Sequence, residues 1–303
     1  WKCESCGYEY PSSQMNGSKC IHCSYIRPMM FPTWYPSSPK SCEEAILSFP
    51  SGETRLNRVL AGVMPHAGWF FSGPVASRVA TIFPKDIEVF VVFGAVHRMR
   101  LLEPCMLLGG KWTTPFGAME IDTPLAVRIL KYYPKIIISP RAHETEHSIE
   151  LEIPFLHYYY PQAKIVPIMT PPSLMAKELG HAVGKAAKED GRKIAFVASS
   201  DFTHYGINYG ICDFGPLPQA LPMIHQQDGR LLNKIIHLRE EETLEEALTS
   251  QSACGPGAIL SALSASKELG AKGGEVLEYT TSMELRPRES SDSTVGYGAV
   301  VLG

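Results

Sequence analysis

The stretch Val59-Leu60-Ala61-Gly62-Val63-Met64-Pro65-His66-Ala67-Gly68 passes directly from an apolar run into a polar motif. Two further runs, at 88–93 and 193–198, are equally short and almost wholly apolar. Such runs are typical of strands that are buried on both faces of a mostly parallel sheet. The sequence therefore predicts an α/β fold, with a mostly parallel or mixed central sheet flanked by helices.

The polar motifs that follow these runs carry histidines and a carboxylate. They are Pro65-His66-Ala67-Gly68, Gly94-Ala95-Val96-His97 and Ser199-Ser200-Asp201-Phe202-Thr203-His204. Open α/β sheets bind ligands beyond the carboxyl ends of their strands. We therefore expect these motifs to meet in one pocket, together with a fourth motif, Ala253-Cys254-Gly255.

His66, His97 and Cys254 are the candidate ligands of a metal in this pocket. A single histidine after a strand is more often structural, so the prediction depends on the three residues together. Imidazole and thiolate suit iron, copper or zinc, and suit magnesium or calcium poorly. Three protein ligands leave coordination positions open for water, substrate or dioxygen, which is typical of a catalytic metal.

Four other residues are candidate catalytic groups. Asp201 stands close to His204 in sequence, and a carboxylate beside a histidine can orient the ring and raise its basicity. Glu146 and His147 precede a predicted helix, where the helix dipole alone would also favour an acid. We expect His204 or His147 to transfer protons, and we regard His143 as a weaker candidate.

Two C-x2-C pairs stand near the beginning of the chain: Cys3, Cys6, Cys20 and Cys23. Each pair can present two thiolates to one ion, so the pattern predicts a small four-thiolate metal module. We place this module at 1–27 and the α/β domain at 28–303. Thiolate tetrahedra accept iron or zinc, so both metals stay open here. Removal of residues before Pro28 is expected to take away only this first metal site.

Composition argues against several classes of partner. The 303 residues are 45% hydrophobic with a formal net charge of −3, and no basic tract indicates nucleic acid or anionic lipid. The apolar runs are far shorter than the roughly 20 residues that cross a bilayer, so we expect no membrane partner. Cys42, Cys105 and Cys212 are scattered, and thiols of this kind beside a metal module favour a reducing cytoplasm.

The rest of the chain predicts further elements. Helices are expected at 74–83, with Pro74 at the start, and at 124–133, 173–189, 219–237 and 257–269. Pro154 should kink or shorten a helix within 147–160. The remaining predictions are an extended segment at 27–39, strands at 275–283 and 295–302, and between these strands a polar loop at 284–293 that could cover the pocket.

Six motifs, in this order, resemble the Memo family from about Pro28 to the C-terminus. They are Pro65-His66-Ala67-Gly68-Trp69-Phe70-Phe71-Ser72-Gly73-Pro74, Thr114-Pro115-Phe116-Gly117, Glu146-His147-Ser148-Ile149-Glu150, Ser200-Asp201-Phe202-Thr203-His204-Tyr205, Cys254-Gly255 and Ser293-Thr294-Val295-Gly296-Tyr297. The resemblance implies a fold similar to that of the class III extradiol dioxygenases, which are non-haem iron enzymes that open catechol rings. It also implies two histidines and a cysteine in the pocket, at the positions of His66, His97 and Cys254.

Two positions depart from the family pattern. Ala95 stands where the second motif usually has proline, which hardly affects the ligand that follows. Pro256 stands where an arginine often follows the Cys-Gly pair, and this weakens the expectation that the pocket recognises a substrate anion.

The first ten residues, Trp1-Lys2-Cys3-Glu4-Ser5-Cys6-Gly7-Tyr8-Glu9-Tyr10, resemble the first knuckle of rubredoxin-like modules, including those that end rubrerythrins. This resemblance implies an iron held by four thiolates that transfers single electrons and could feed the second metal site. A structural zinc ribbon uses the same ligands, and would make the module a folding staple or a docking surface.

The first functional hypothesis is a metal-dependent redox enzyme, with non-haem iron in the His/His/Cys pocket and a small-molecule substrate. Two alternatives are kept. The resemblance also implies an adaptor for phosphorylated peptides, and zinc at the same ligands would suit hydrolysis, with His204 or Asp201 activating a bound water. The resemblance further implies a radical-SAM protein as a pathway partner.

Overall fold

A computed structural model describes residues 2–4, 9, 15–16, 19–289 and 292–303. The strands are β1 (Met15–Asn16), β2 (Lys19–Cys20), β3 (Ile26–Arg27), β4 (Ala61–Met64), β5 (Val89–Gly94), β6 (Cys105–Met106), β7 (Lys111–Thr114), β8 (Gly117–Glu120), β9 (Ile137–Ile138), β10 (Lys164–Met169), β11 (Ile194–Ser199), β12 (His204–Gly206), β13 (Gly274–Thr281) and β14 (Ser293–Leu302). The helices are α1 (Pro39–Ser48), α2 (Trp69–Ala80), α3 (Thr123–Tyr132), α4 (Pro140–Glu144), α5 (Ile153–Tyr159), α6 (Met175–Asp190), α7 (Leu221–Ile236), α8 (Glu240–Thr249), α9 (Pro256–Glu268) and α10 (Ser282–Leu285).

A mixed central sheet confirms the predicted fold class. Its strands run in the order β12-β14-β4-β11-β5-β10-β6-β9, and β13 pairs with β14. The four central strands β4, β11, β5 and β10 are parallel, whereas β14 and β6 run antiparallel to their central neighbours. A second sheet has the strand order β3-β7-β8, and its strand β3 directly follows the N-terminal cysteine segment.

Alternate residues of each central strand enter two different hydrophobic cores. In β5, Val89, Val91 and Phe93 pack with helices α3, α6, α7 and α9, whereas Phe90 and Val92 pack with α1, α2 and α5. All six residues of β5 are buried. Because both faces of the sheet are covered by helices, every position favours an apolar side chain, and this explains the continuous apolar runs.

The parallel strands end together at one edge of the sheet. Residue Ser199 of β11 is in register with Met64 of β4, and Ala198 is in register with Phe93 of β5. The polar motifs that follow the three strands therefore begin at the same level, as the sequence predicts.

Helix α2 begins earlier than predicted. It starts at Trp69, and Pro74 lies inside it, so the prediction that Pro74 begins the helix is wrong. Trp69 is buried and its Nε1 donates a hydrogen bond to the Leu151 carbonyl at 3.0 Å. We attribute the early start to the burial of Trp69, which favours a helical first turn although Pro74 is the sixth residue of the helix.

The other predicted helices agree with the structure to within a few residues, and Pro154 stands in the first turn of α5. Helices α1, α4, α8 and α10 were not predicted. The predicted strand at 275–283 ends at Thr281, whose side chain caps α10. None of the helices among the described residues is long and apolar enough to cross a membrane.

Candidate metal centre

Three elements bring the predicted ligands together. His66 follows β4, His97 follows β5, and Cys254 precedes α9. Their candidate ligand atoms all lie within 4.8 Å of one another. Cys254 Sγ lies 3.2 Å from His66 Nε2. This distance is close to the value of about 3.5 Å expected between nitrogen and sulfur ligands of one tetrahedral ion. The donor set and its spacing therefore fit a zinc, iron or copper ion.

The His66 ring is oriented by the Ser199 hydroxyl. This hydroxyl lies near three polar atoms: the Ser148 carbonyl oxygen at 2.7 Å, Glu152 Oε1 at 2.9 Å and His66 Nδ1 at 2.8 Å. A hydroxyl donates one hydrogen and accepts two, while a carbonyl only accepts. All three contacts are satisfied when Ser199 donates to Ser148 and accepts from His66 Nδ1 and from a protonated Glu152.

Burial supports this arrangement of protons. It raises the pKa of Glu152 well above the ordinary value, which favours the protonated carboxyl that donates to Ser199. Burial also lowers the pKa of His66, with a further contribution from His97 and His147. A neutral His66 with its hydrogen on Nδ1 leaves the lone pair of Nε2 directed at Cys254, as metal ligation requires.

Glu146 holds the second ligand histidine. Its carboxylate accepts hydrogen bonds from the His97 backbone at 2.8 Å and from His97 Nδ1 at 2.9 Å, so His97 Nε2 is left for a metal. Burial would raise the pKa of Glu146, but the bonds from His97 and from the Ser148 amide lower it to about 2. Glu146 thus contacts a ligand, and its catalytic role stays a prediction.

Asp201 does not orient His204, and that expectation is wrong. Its carboxylate accepts the His66 backbone N–H at 2.8 Å, whereas His204 Nδ1 pairs with the Phe202 carbonyl at 3.0 Å. Burial raises the pKa of Asp201 to about 7, against the opposing effect of the backbone hydrogen bond from His66. The carboxyl group lies in the wall of the cavity described below.

His147 and His204 both line the cavity, whereas His143 does not. The His147 ring stacks on His97 with centroids 4.8 Å apart and also contacts Trp34. Burial lowers the pKa of His147 to about 4 and lowers that of His204. Both rings are therefore neutral at physiological pH and able to accept a proton.

Cys254 is a buried thiol beside this group. Its sulfur accepts the Asp201 backbone N–H at 3.3 Å and lies 3.9 Å from Ser200 Oγ. Burial raises the pKa of the Cys254 thiol well above its ordinary value, with a further contribution from Asp201. A metal binds the thiolate, so metal binding at this centre would release the thiol proton.

The candidate ligand histidines, His66 and His97, face a cavity of about 500 Å³. Its lining includes Trp34, Phe71, Arg98, Tyr209 and Tyr297, which sequence reasoning missed. They come from a helix, a strand and separate loops with no shared periodic pattern, although Arg98 directly follows His97 and its position was a usable signal. The predicted covering loop at 284–293 contributes Glu289 and Ser293 to the lining.

The N-terminal cysteines form a second candidate metal group. Ligand atoms of Cys3, Cys20 and Cys23 lie within 4.8 Å of one another, and backbone N–H groups donate to the sulfurs of Cys3 and Cys20. Cys6 lies outside the described residues, so the four-thiolate site stays a prediction. The predicted boundary after residue 27 also stays a prediction, although β3 pairs with β7 of the larger domain.

Asp228 supports the segment that carries Asp201 and His204. Its carboxyl group accepts the Thr203 hydroxyl at 2.5 Å and the Tyr279 hydroxyl at 2.6 Å. Burial raises the pKa of Asp228 to about 7, despite the opposing effect of these bonds.

Asp228 should make the free energy of unfolding depend on pH. Its folded pKa exceeds the unfolded value of about 3.9, so between about pH 4 and 7 the folded chain keeps a proton that the unfolded chain loses. The free energy of unfolding should fall as pH rises through this window, by at most about 1.4 kcal/mol per unit. In Asp228→Asn this contribution should be absent. Urea unfolding of both proteins from pH 4 to 8 measures it, and an equal dependence of the free energy of unfolding on pH in the two proteins would contradict the assignment.

Comparison with known proteins agrees with this geometry. A family model described as "Memo-like protein" matches residues 27–301. The chain belongs to the Memo family. It is 36% identical over 262 residues to a MEMO1 family protein of Pyrococcus furiosus, covering 82% of this chain and 88% of that protein. A MEMO1 family protein of Nitrosopumilus maritimus is 34% identical over 286 residues, which cover 90% of this chain and 98% of that Memo relative.

Proposed function

We propose that this protein is a metal-dependent oxidoreductase that holds non-haem iron at His66, His97 and Cys254 and acts on a small molecule. The observation that carries the proposal is the convergence of the three ligand atoms within 4.8 Å, with His66 and His97 also lining a cavity of about 500 Å³. Bound iron would supply redox chemistry, and a thiolate ligand would raise the electron density at the metal.

The residues of the chain have separate tasks in this proposal. Glu146 and Ser199 hold the ligand histidines so that both Nε2 atoms are available. His147 and His204 accept or return protons at their ring nitrogens where the substrate enters. Trp34 and Tyr297 contribute aromatic side chains to the wall of the cavity, and Arg98 is the only Lys or Arg among its described lining residues.

Arg98 also bears on the substrate. Arg98 lines the cavity, whereas Pro256 stands where an arginine often follows the Cys-Gly pair. A cation beside aromatic walls favours a planar or ring-shaped substrate that carries a negative group. In this proposal Arg98, which follows β5, provides the cation that recognises this group.

Metal analysis tests the proposal. The full-length chain carrying Cys20→Ser and Cys23→Ser, which removes the N-terminal group, should contain about one iron per chain when purified without oxygen. The metal is quantified by plasma mass spectrometry, and the iron should cycle between ferric and ferrous states under air and dithionite. One tightly held zinc and no reversible redox signal would contradict the proposal and favour hydrolysis, since zinc has no redox chemistry.

A further inference from the structure

Arg27 is a charged side chain in the protein interior. It has no exposed surface, and its guanidinium lies 4.0 Å from the centroid of the Trp112 ring. Burial of a charge is costly unless the group is paired and fully hydrogen-bonded. The position of Arg27 therefore indicates a specific task.

The guanidinium reaches three points of the segment 143–150. It donates to the His143 carbonyl at 3.0 Å, to the Glu146 carbonyl at 3.0 Å and to the Glu150 carboxylate at 2.5 Å. The planar, fixed geometry of the guanidinium lets one side chain hold all three acceptors at once, which an ammonium group does not reproduce. Arg27 thereby holds two backbone carbonyls before His147 and one side chain after it.

The segment held by Arg27 in turn holds a metal ligand. Glu146 contributes its carbonyl oxygen to Arg27 and its carboxylate to the backbone and ring of His97. A chain of direct contacts therefore runs from Arg27 through Glu146 to His97.

The same residue is tied to the N-terminal cysteines. Arg27 stands four residues after Cys23 and belongs to β3, where it is in register with Trp112 of β7. The Lys111 N–H donates to the Tyr25 carbonyl at 2.9 Å, so the short connection is itself hydrogen-bonded to β7. Only a short, hydrogen-bonded connection therefore separates the cysteine group from Arg27, whose side chain holds the metal-ligand segment.

We propose that Arg27 is a positioning residue of the metal centre: it fixes the 143–150 backbone so that Glu146 presents His97 Nε2 to the metal, and it links this centre to the N-terminal cysteine segment. The inference depends on metal binding by His66, His97 and Cys254. It does not depend on iron or on any reaction.

Two full-length variants test the proposal in the Cys20→Ser, Cys23→Ser background, with Co²⁺ as the probe. Arg27→Lys keeps a charge for Glu150 but cannot span the three acceptors, so Co²⁺ should bind about 10 to 100-fold more weakly and with an altered visible spectrum. The matched control Glu150→Gln loses the ion pair but leaves both carbonyl bonds of Arg27. It should unfold at lower urea concentration and bind Co²⁺ with the parent's Kd and spectrum.

A third variant guards against misfolding of Arg27→Lys. Arg27→Met with Glu150→Gln removes both charges of this buried pair, and its glutamine still accepts the backbone N–H groups of Met30 and Phe31, which Glu150 accepts now. It should show the same loss of Co²⁺ affinity as Arg27→Lys.

Three results would overturn the inference. The first is a folded variant without the Arg27 guanidinium that binds Co²⁺ with the parent's Kd and spectrum. The second is a Glu150→Gln variant whose Co²⁺ affinity falls as much as its stability does. The third is a parent that binds no Co²⁺ at all, which would overturn the proposed function as well, whereas the first two leave that function standing.

Discussion

Cys254→Ala should abolish tight metal binding in the α/β domain. In the proposed centre the thiolate is one of three protein ligands. Its sulfur lies 3.2 Å from His66 Nε2, and loss of one ligand would leave an open two-histidine site. The affinity should fall by more than the ~10 to 100-fold that changes outside the ligand set cost. The measurement is titration of iron or Co²⁺ into the apo-variant, with the N-terminal cysteines replaced by serine.

Two controls separate a ligand from its surroundings. Cys42→Ala removes another buried thiol, which belongs to α1 and does not line the cavity, and should leave metal affinity unchanged. Asp201→Asn keeps the size of the side chain that accepts the His66 N–H, so the metal should stay largely bound. Equal affinity in Cys254→Ala and the parent would mean that the thiolate is not a ligand.

A chain that begins at Pro28 should lose stability and the metal of the α/β domain, contrary to the expectation from sequence. This truncation removes Arg27 and leaves Glu150 buried, with hydrogen bonds from Met30, Phe31 and Tyr35 but without its guanidinium. Breaking a buried ion pair on one side costs about 3 to 5 kcal/mol. The new amino terminus carries one charge but cannot reproduce the bonds to His143 and Glu146.

The matched control is a chain that begins at Ser24. It lacks all four N-terminal cysteines but keeps β3 and Arg27. Urea unfolding and Co²⁺ titration of both truncated chains make the comparison. The longer chain should behave like the full-length protein at the His/His/Cys centre, and equal stability of the two truncated chains would contradict a structural role for Arg27.

The sequence by itself determined the fold class, the strands that carry the site and the three candidate metal ligands that the structure brings together. Each of these leaves a local signal. A strand buried on both faces must be apolar at every position, as β5 is, and its end is marked where polar residues resume. His66 and His97 could be located because they follow such ends, and the N-terminal cysteines because two thiolates on one C-x2-C turn can reach the same ion.

Only the tertiary structure decided which polar groups hold the ligands. Arg27 and Glu146 stand 119 positions apart, and Ser199 and Glu152 stand 47 apart, so no periodic pattern joins them. Each is a buried polar group whose partner is selected by three-dimensional packing, because an unpaired polar group in the interior is costly. For the same reason Asp201 lies against the His66 backbone rather than beside its sequence neighbour His204, and the burial of Trp69 sets the start of α2.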